Sequence, residues 1–389
     1  MKNFLLKIYS FSLFSDLVFI YPIYTIMFAD NGLSPVEIST LLVIWVVTAF
    51  VLEVPSGVIA DKYSRKHILF FAELARIIGY IFWIVMPNFV GYAVGFILWG
   101  IKGAFTSGTF EALVYDELKA NKQEKKYLKV SGIFQSLHYF AFIFAGLGAS
   151  ISIKYGYNFV LMISIISLII SSVSIISLPH VAIVESTGEK KYFKLLKEGL
   201  NKAIRVPSIL KIIIFAALAH AFFGSLDEYW SIFASSVGVS KSGLGIFFVC
   251  YGLVQAISSL IAYKFESMRS QFFSFLFLLN GLILIIGVRL LNMSSLLLIL
   301  LFNFSFELIY SVSNSQLQHA IPSERVRATI TSVKGFLVNL LIIAIIIAFG
   351  YVSQLYDYNT GFIVMGFVIC FIGLIYTLFN NRLNYQSHK

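Results

Sequence analysis

Apolar residues occur in long runs along this chain, and polar residues gather in short stretches between them. A helix that crosses a bilayer needs about 20 mostly apolar residues. The runs predict twelve such helices, over residues 4–29, 35–59, 67–87, 89–115, 127–152, 157–178, 208–235, 241–263, 270–290, 294–320, 328–352 and 359–380. The segments between them leave no room for a soluble domain. The longest, 179–207, divides six helices from six. The predicted organisation is a six-helix bundle over 1–178, a linker over 179–207 and a second six-helix bundle over 208–389.

Composition supports this reading. Of 389 residues, 59% are hydrophobic and 12% are charged, against roughly a quarter charged in an ordinary soluble protein. Disorder, a coiled coil and a disulfide scaffold are excluded by 39 Phe, 21 Tyr and 26 Gly beside two Cys. Cys250 and Cys370 lie in apolar segments without His or acidic neighbours at ligand spacing, so they read as packing residues. Asp16 interrupts the first apolar stretch and no small-residue cleavage site follows, which argues against a cleavable signal.

The placement of basic residues sets the expected orientation. With the N-terminus inside, 23 of the 29 Lys and Arg fall in cytoplasmic segments; Lys154, Lys241 and Arg289 fall outside, and Arg76, Lys102 and Lys334 within spans. That asymmetry satisfies the positive-inside rule and puts both termini in the cytoplasm. It also directs the net charge of +10 towards the membrane surface rather than nucleic acid. Within the linker, Phe193, Leu196, Leu200 and Ile204 recur at helical spacing opposite Lys190, Lys191, Lys194, Lys197 and Lys202, the pattern of an amphipathic helix on membrane lipid.

The halves echo each other. Gly32-Leu33-Ser34 matches Gly238-Val239-Ser240, Ile59-Ala60-Asp61-Lys62 matches Ile261-Ala262-Tyr263-Lys264, and Lys126 to Ser131 matches Arg327 to Ser332. Three matches in order, at nearly one offset, point to a duplicated six-helix unit. Paired repeats of this kind build transporters with a midplane substrate site.

The most specific local pattern runs Glu53-Val-Pro-Ser-Gly57-Val-Ile-Ala-Asp61-Lys62-Tyr-Ser-Arg65-Lys66, between the second and third helices. It resembles the major facilitator superfamily signature G-x-x-x-D-R/K-x-G-R-R/K. Gly57, Asp61, Lys62, Arg65 and Lys66 match, and Ser64 stands where the family has glycine. With twelve spans and a long central segment, the resemblance covers the whole chain. It implies an all-α membrane protein of two pseudo-symmetric six-helix bundles that moves solute by alternating access. Gly57 would permit close helix approach, and Asp61 would accept hydrogen bonds at the N-terminus of the eleventh helix, near Ala328. Arg65 would pair with Asp116, or failing that Glu117. Gly57, Asp61, Arg65, Lys66 and Asp116 would together latch the halves. In the second half Tyr263 takes the place of Asp61.

Ionisable groups inside spans are costly and mark functional cavities. In this family helices 1, 4, 7 and 10 line the cavity; their candidates are Asp16, Lys102, Asp227, Glu228 and Glu307, with His220 and Trp230. Asp16 and Lys102 read as a cross-helix pair, with Asp16 or Asp227 carrying a coupling proton. The alternative is a static pair that holds the helices in register. Tyr229 and Trp230 could stack on an aromatic solute. Glu73 and Arg76, one turn apart, would satisfy each other, Lys334 would snorkel, and Ser34 with Glu37 forms a capping box.

No nucleotide loop, catalytic triad, zinc motif or haem site is visible, so neither an enzyme nor a cofactor or metal is expected. The expected protein is a monomeric secondary transporter of the bacterial inner membrane. Its coupling ion would be the proton, with sodium as the alternative. Many aromatics and few cavity charges favour efflux of amphipathic compounds. A symporter for a nutrient or organic acid, with Lys102 on a carboxylate, is the second reading, and a transporter-like sensor or lipid-handling protein the third. The exporter pattern Gly-Pro-x-x-Gly-Gly is broken in the fifth helix, where Ala145 replaces the proline.

Overall fold

The computed structural model describes the backbone of residues 1–179, 207–320 and 324–387, and their side chains except at 61, 207–209, 324–329 and 379–387. All regular structure in these residues is helical. Among the described residues, twelve helices are long and apolar enough to cross a membrane. Spans 1 to 6 are Lys2–Asp30, Pro35–Ala60, Arg65–Val85, Phe89–Ala120, Glu124–Tyr155 and Tyr157–Ile176. Spans 7 to 12 are Leu210–Ser236, Lys241–Phe265, Ser270–Leu290, Ser294–Ala320, Ile330–Leu355 and Tyr358–Leu378. Large apolar side chains such as Phe71, Ile166, Leu297 and Phe371 are exposed on them, as surfaces that meet lipid require. The amphipathic helix expected in the linker falls on 180–206, outside the described residues.

The chain forms two compact units. One takes Met1–Leu33, Thr40–Phe193 and Lys241–Val249; the other takes Ser34–Ser39, Lys194–Ser240 and Cys250–Lys389. In the first, Lys241 pairs with the Asp30 carboxylate, which also accepts the Tyr157 hydroxyl at 2.6 Å. In the second, the Ser39 and Tyr229 hydroxyls lie 2.6 Å apart. The capping box closes as expected, with Ser34 N–H donating to Glu37 Oε2 at 2.8 Å and Glu37 N–H to Ser34 Oγ at 3.3 Å.

Spans 1, 4 and 7, expected as unbroken helices, are each interrupted. Span 1 is helical over Lys2–Asp16, leaves the helix at Leu17 and resumes through a 3-10 turn, Tyr21–Ile23, into Tyr24–Asp30. Pro22 accounts for the gap. It has no N–H for the Val18 carbonyl, and its ring would collide with that carbonyl in a continuous helix. Tyr21 N–H closes a tighter turn on Val18 instead, at 3.2 Å. Span 4 breaks between Phe89–Thr106 and Thr109–Ala120, where Gly108 adopts φ +72°. Span 7 passes through a 3-10 turn, Asp227–Tyr229, between Pro207–Leu226 and Trp230–Ser236.

A helix that stops inside a membrane exposes its last carbonyls where hydrocarbon offers no partner. The first unit supplies partners for span 1. The Leu13 carbonyl accepts Leu17 N–H at 3.0 Å, Phe14 accepts the Ser167 hydroxyl at 2.9 Å, Ser15 accepts Arg76 Nη1–H at 3.1 Å, and Asp16 accepts Val18 N–H at 2.9 Å. Ser171 donates to the Phe11 carbonyl at 3.2 Å, and Ser164 Oγ accepts Ile20 N–H at 3.2 Å. Residues 164, 167 and 171 share one helix face. A serine stripe on span 6 thus holds span 1 on both sides of its gap.

The sequence echo at Gly32 and Gly238 has a structural counterpart. Gly32 and Gly238 close spans 1 and 7 at φ +85° and +93°. In each case the glycine N–H reaches three residues back, to Ala29 or Ser235, at 3.0 Å. The next N–H reaches five back, Leu33 to Phe28 at 3.1 Å and Val239 to Ala234 at 3.0 Å. This is the Schellman closure, which requires the left-handed conformation that glycine adopts without strain. In the second unit, spans 9 and 12 pack backbone to backbone: a Cβ on Gly281 would stand 2.5 Å from the Gly366 carbonyl, a contact only small residues permit.

Gly32→Ala and Gly238→Ala should each lower stability by roughly 1–2 kcal/mol, the cost of a Cβ in the left-handed region. Gly335→Ala, at a helical site where a Cβ meets nothing within 4 Å, should instead leave stability level or raise it by up to ~1 kcal/mol. Thermal unfolding of the three purified variants checks the contrast.

Candidate functional site

The interruption of span 1 leaves Asp16 at the edge of a cavity of about 260 Å³ in the first unit. Three spans wall it. Span 1 gives Ser12, Ser15 and Asp16, span 4 gives Lys102, Thr106 and Glu111, and span 5 gives Ser131, Gln135 and His138, among apolar side chains such as Phe11, Val114 and Phe134. With Tyr127 of span 5, ten hydrogen-bonding or ionisable side chains around so small a space make it a polar site inside an apolar bundle.

The charges are organised as two linked pairs. At the mouth, Asp16 Oδ2 lies 3.0 Å from His138 Nδ1, with the two side chains 34% and 50% exposed. Behind them Glu73, on span 3, is fully buried. Its Oε1 accepts the Ser15 hydroxyl at 2.5 Å and sits 3.9 Å from Lys102 Nζ; its Oε2 is buried without a hydrogen-bond partner among the described residues. Arg76, one turn further along span 3, donates from Nε to Tyr80 OH and from Nη1 to the Ser15 carbonyl, both at 3.1 Å, and lies 4.5 Å over the Trp99 ring. Ser15 therefore touches both chains of contact, through its hydroxyl and its carbonyl.

Two expected pairings are corrected. Asp16 and Lys102 wall the same cavity, but Asp16 is bonded by His138 from span 5, and Lys102 is paired with Glu73 from span 3. Span 3 lies behind spans 1 and 4 and presents its carboxylate to the lysine from that side. Glu73 and Arg76 do not form a pair with each other: the carboxylate takes Ser15 and Lys102, and the planar guanidinium takes the Trp99 face and the freed Ser15 carbonyl.

The aromatic residues are mostly elsewhere. Tyr24, Phe28, Trp83, Tyr92, Phe96 and Trp99 pack on one another, with Phe28 and Tyr92 centroids 4.3 Å apart and Phe96 stacked on Trp99 at 5.7 Å. In the second unit Trp230, 3% exposed, stacks on Phe362 at 5.0 Å, and Tyr229 is fully buried. Both are core residues, which removes the expectation that they stack on a solute. Asp227 and Glu228 lie in the 3-10 turn of span 7; Asp227 Oδ2 accepts the Tyr251 hydroxyl at 3.4 Å, and Glu228 is 8% exposed. Glu307 accepts the Ser311 hydroxyl at 2.8 Å, and the His220 ring stands edge-on to Tyr310 at 4.8 Å. Lys334 does not snorkel. It is 7% exposed and donates to Asn314 Oδ1 at 2.9 Å.

At the signature-like turn, Arg65 pairs with Asp116, and Lys66 Nζ donates to the Leu178 carbonyl at 2.8 Å. Gly57 is exposed, and a Cβ there would meet nothing described within 4 Å. The close helix approach expected at Gly57 is therefore absent among the described residues. The Asp61 side chain, and those around Ala328 that it was expected to meet, lie outside the described residues.

Sequence reasoning missed Ser12, Ser15, Thr106, Ser131 and Gln135 as cavity walls, and assigned Glu73 to Arg76 rather than to Lys102. A usable signal existed: Ser131, Gln135 and His138 recur at i, i+4 and i+7, and Lys102 with Thr106 at i and i+4, so each set shares one helix face. Among the described residues no group of three or more His, Cys, Asp or Glu is placed to hold a metal ion.

Comparison with known proteins places this architecture. Residues 8–343 match the family model of the Major Facilitator Superfamily. The MFS-type transporter YxaM of Bacillus subtilis (strain 168) is 22% identical over 247 residues, 63% of this chain and 62% of the relative's length, so the match spans less than two thirds of that protein. The nucleoside transporter NupG superposes with a TM-score of 0.79 at 15% identity, over 97% of this chain and 98% of its own. A D-xylose-proton symporter gives 0.72 at 12% identity, over 97% and 96%. At such identities the structural likenesses speak for the fold, and the family match carries the assignment. The chain belongs to the Major Facilitator Superfamily, and twelve helices among its described residues are long and apolar enough to cross a membrane.

Proposed function

We propose that this transporter couples the movement of a small polar organic solute to the proton gradient, with both termini in the cytoplasm and alternating access between two bundles. The observation that carries the reading is the linked set Asp16–His138 and Glu73–Lys102 around one polar cavity. The set places the cationic side chains Arg76 and Lys102 against the carboxyls of Asp16 and Glu73, with Glu111 also on the cavity wall. Buried charge is tolerated when it is compensated by partners. A proton that enters at the partly exposed Asp16–His138 pair changes the charge of the set by one unit. Histidine changes charge near neutral pH, so the pair is suited to receive that proton. A solute that takes Lys102 leaves Glu73 to be neutralised by the proton, so solute and proton occupy the site together. Down 100 mV a proton releases about 2.3 kcal/mol, enough for roughly fifty-fold accumulation.

The polar lining favours a hydrogen-bonding solute carried in the same direction as the proton. Efflux of amphipathic compounds drew its support from the aromatic content of the chain, and much of that content is committed to the packed cores. The D-xylose-proton symporter and the nucleoside transporter offer polar solutes to screen first.

Uptake of nucleosides, pentoses and small organic acids into proteoliposomes tests this reading. An acid exterior should accelerate uptake of the true solute, a protonophore should abolish the gain, and Asp16→Asn should transport without responding to the gradient. Flux indifferent to protonophore, or a gradient response kept by both Asp16→Asn and Glu73→Gln, contradicts the proposal. The pairing makes a second prediction. Lys102→Met strands the buried Glu73 carboxylate and should cost about 3–5 kcal/mol. Glu73→Gln/Lys102→Met should recover most of that loss, as read by unfolding of the purified proteins.

A further inference from the structure

The second unit contains a buried cation that the coupling set does not use. Lys334, on span 11, is 7% exposed and has no carboxylate oxygen within 4 Å among the described residues. Its ammonium donates to Asn314 Oδ1 at 2.9 Å and lies 5.3 Å over the Tyr310 ring. An ammonium has three donors, and a neutral amide with a ring face offers far less than its hydration did. The usual escape is closed. Ile330, one turn nearer the end of span 11, packs with Ile213 and Leu317 into a buried apolar layer, with Leu337 against it, so the side chain is held on the polar side of that layer.

The neighbouring side chains are polar. Glu307, Tyr310, Ser311 and Asn314 follow each other at i, i+3, i+4 and i+7 on span 10, a single polar face. His220 of span 7 stands edge-on to the same Tyr310 ring, 4.8 Å away, and Glu307 is engaged by Ser311. Three spans thus converge on a positive charge that no described carboxylate pairs, with hydrogen-bonding neighbours. A charge left unpaired in a membrane bundle is expensive and is kept where a ligand discharges it.

We infer that Lys334, with Asn314 and Tyr310, is a binding site for the carboxylate of a small organic anion. The carboxylate accepts from the free ammonium donors and from the Asn314 amide, whose oxygen stays on the lysine. The site lies in a different unit from the Asp16 cavity and goes beyond the proton-coupling reading, so the two can fail separately.

The test is thermal unfolding of the purified full-length protein against acetate and benzoate, with neutral benzamide and inorganic phosphate as separate arms. Acetate or benzoate should raise the Tm of the wild type and of Glu73→Gln/Lys102→Met in a saturable way, and benzamide should not. In Lys334→Gln the apparent affinity should fall by about thirty-fold or more, the loss expected when one partner of a buried charge contact is removed. Equal affinity in wild type and Lys334→Gln overturns the inference. So does an equal response to benzamide, a response to phosphate alone, or no response to either carboxylate. Loss of the response in the Glu73/Lys102 variant with its retention in Lys334→Gln would assign the anion to the other cavity and also overturn it. Should Lys334→Gln fail to fold, Asn314→Ala carries the same comparison, with about fivefold weakening expected for one lost hydrogen bond and unchanged affinity as the contradicting result.

Discussion

A helix that ends at Asp16 in the middle of an apolar bundle is the constraint on which the first unit is arranged. Its last carbonyls point into a region where water is scarce, and each finds a donor: Leu17 N–H, the Ser167 hydroxyl, the Arg76 guanidinium and Val18 N–H. Arg76 is the expensive partner, because it brings a full positive charge into the bundle. The partial negative charge of a helix C-terminus favours a cation there, and the Trp99 face adds a second stabilising contact. Once Arg76 is present, Glu73 one turn away on span 3 helps to balance it, and Lys102, Asp16 and His138 complete the set. Pro22, by forbidding a continuous helix, thus lies upstream of the charge cluster.

The two units meet the same problem differently. Both close their first span with the same glycine turn, and both interrupt that span near acidic residues. In the first unit the acid opens onto a cavity and is paired with histidine. In the second, the acids are enclosed and the aromatic residues beside them are core, with Trp230 on Phe362 and Tyr229 on Phe349. The polar cluster of the second unit lies instead on spans 7, 10 and 11, around Tyr310 and Lys334. The two units share the closing turn and differ in where their polar side chains gather.

Much of the fold was legible because bilayer thickness imposes a length on every span, and apolar runs of that length are hard to mistake. The repeated Gly-x-Ser also read correctly, since left-handed closure leaves a glycine behind. The interruptions were not legible from hydropathy, which does not register whether an apolar run is one helix or two; Pro22 and Gly108 were the local signs. The site was legible as a list of residues and not as a set of partners. Asp16 and Lys102 stood out as charges in apolar runs, but which side chain answers each depends on how spans 3 and 5 are turned. Glu73 and Arg76 looked self-sufficient at helical spacing, and the freed Ser15 carbonyl that separates them exists only because span 1 is broken. Lys334 misled for a related reason: its place near the end of a span suggests an escape to water, and the apolar layer that blocks it is assembled from three distant segments.

Proton coupling through this cavity requires that the carboxyls held by His138 and Lys102 change protonation while the bundle stays folded. Infrared difference spectra of the lipid-reconstituted protein, recorded between mildly alkaline and mildly acidic pH, read this directly through the carbonyl stretch of a protonated carboxyl. A band should appear on acidification and be missing in Asp16→Asn or in Glu73→Gln. No such band in the wild type, or a band that survives in both variants, would mean that these charges are static and that coupling resides elsewhere.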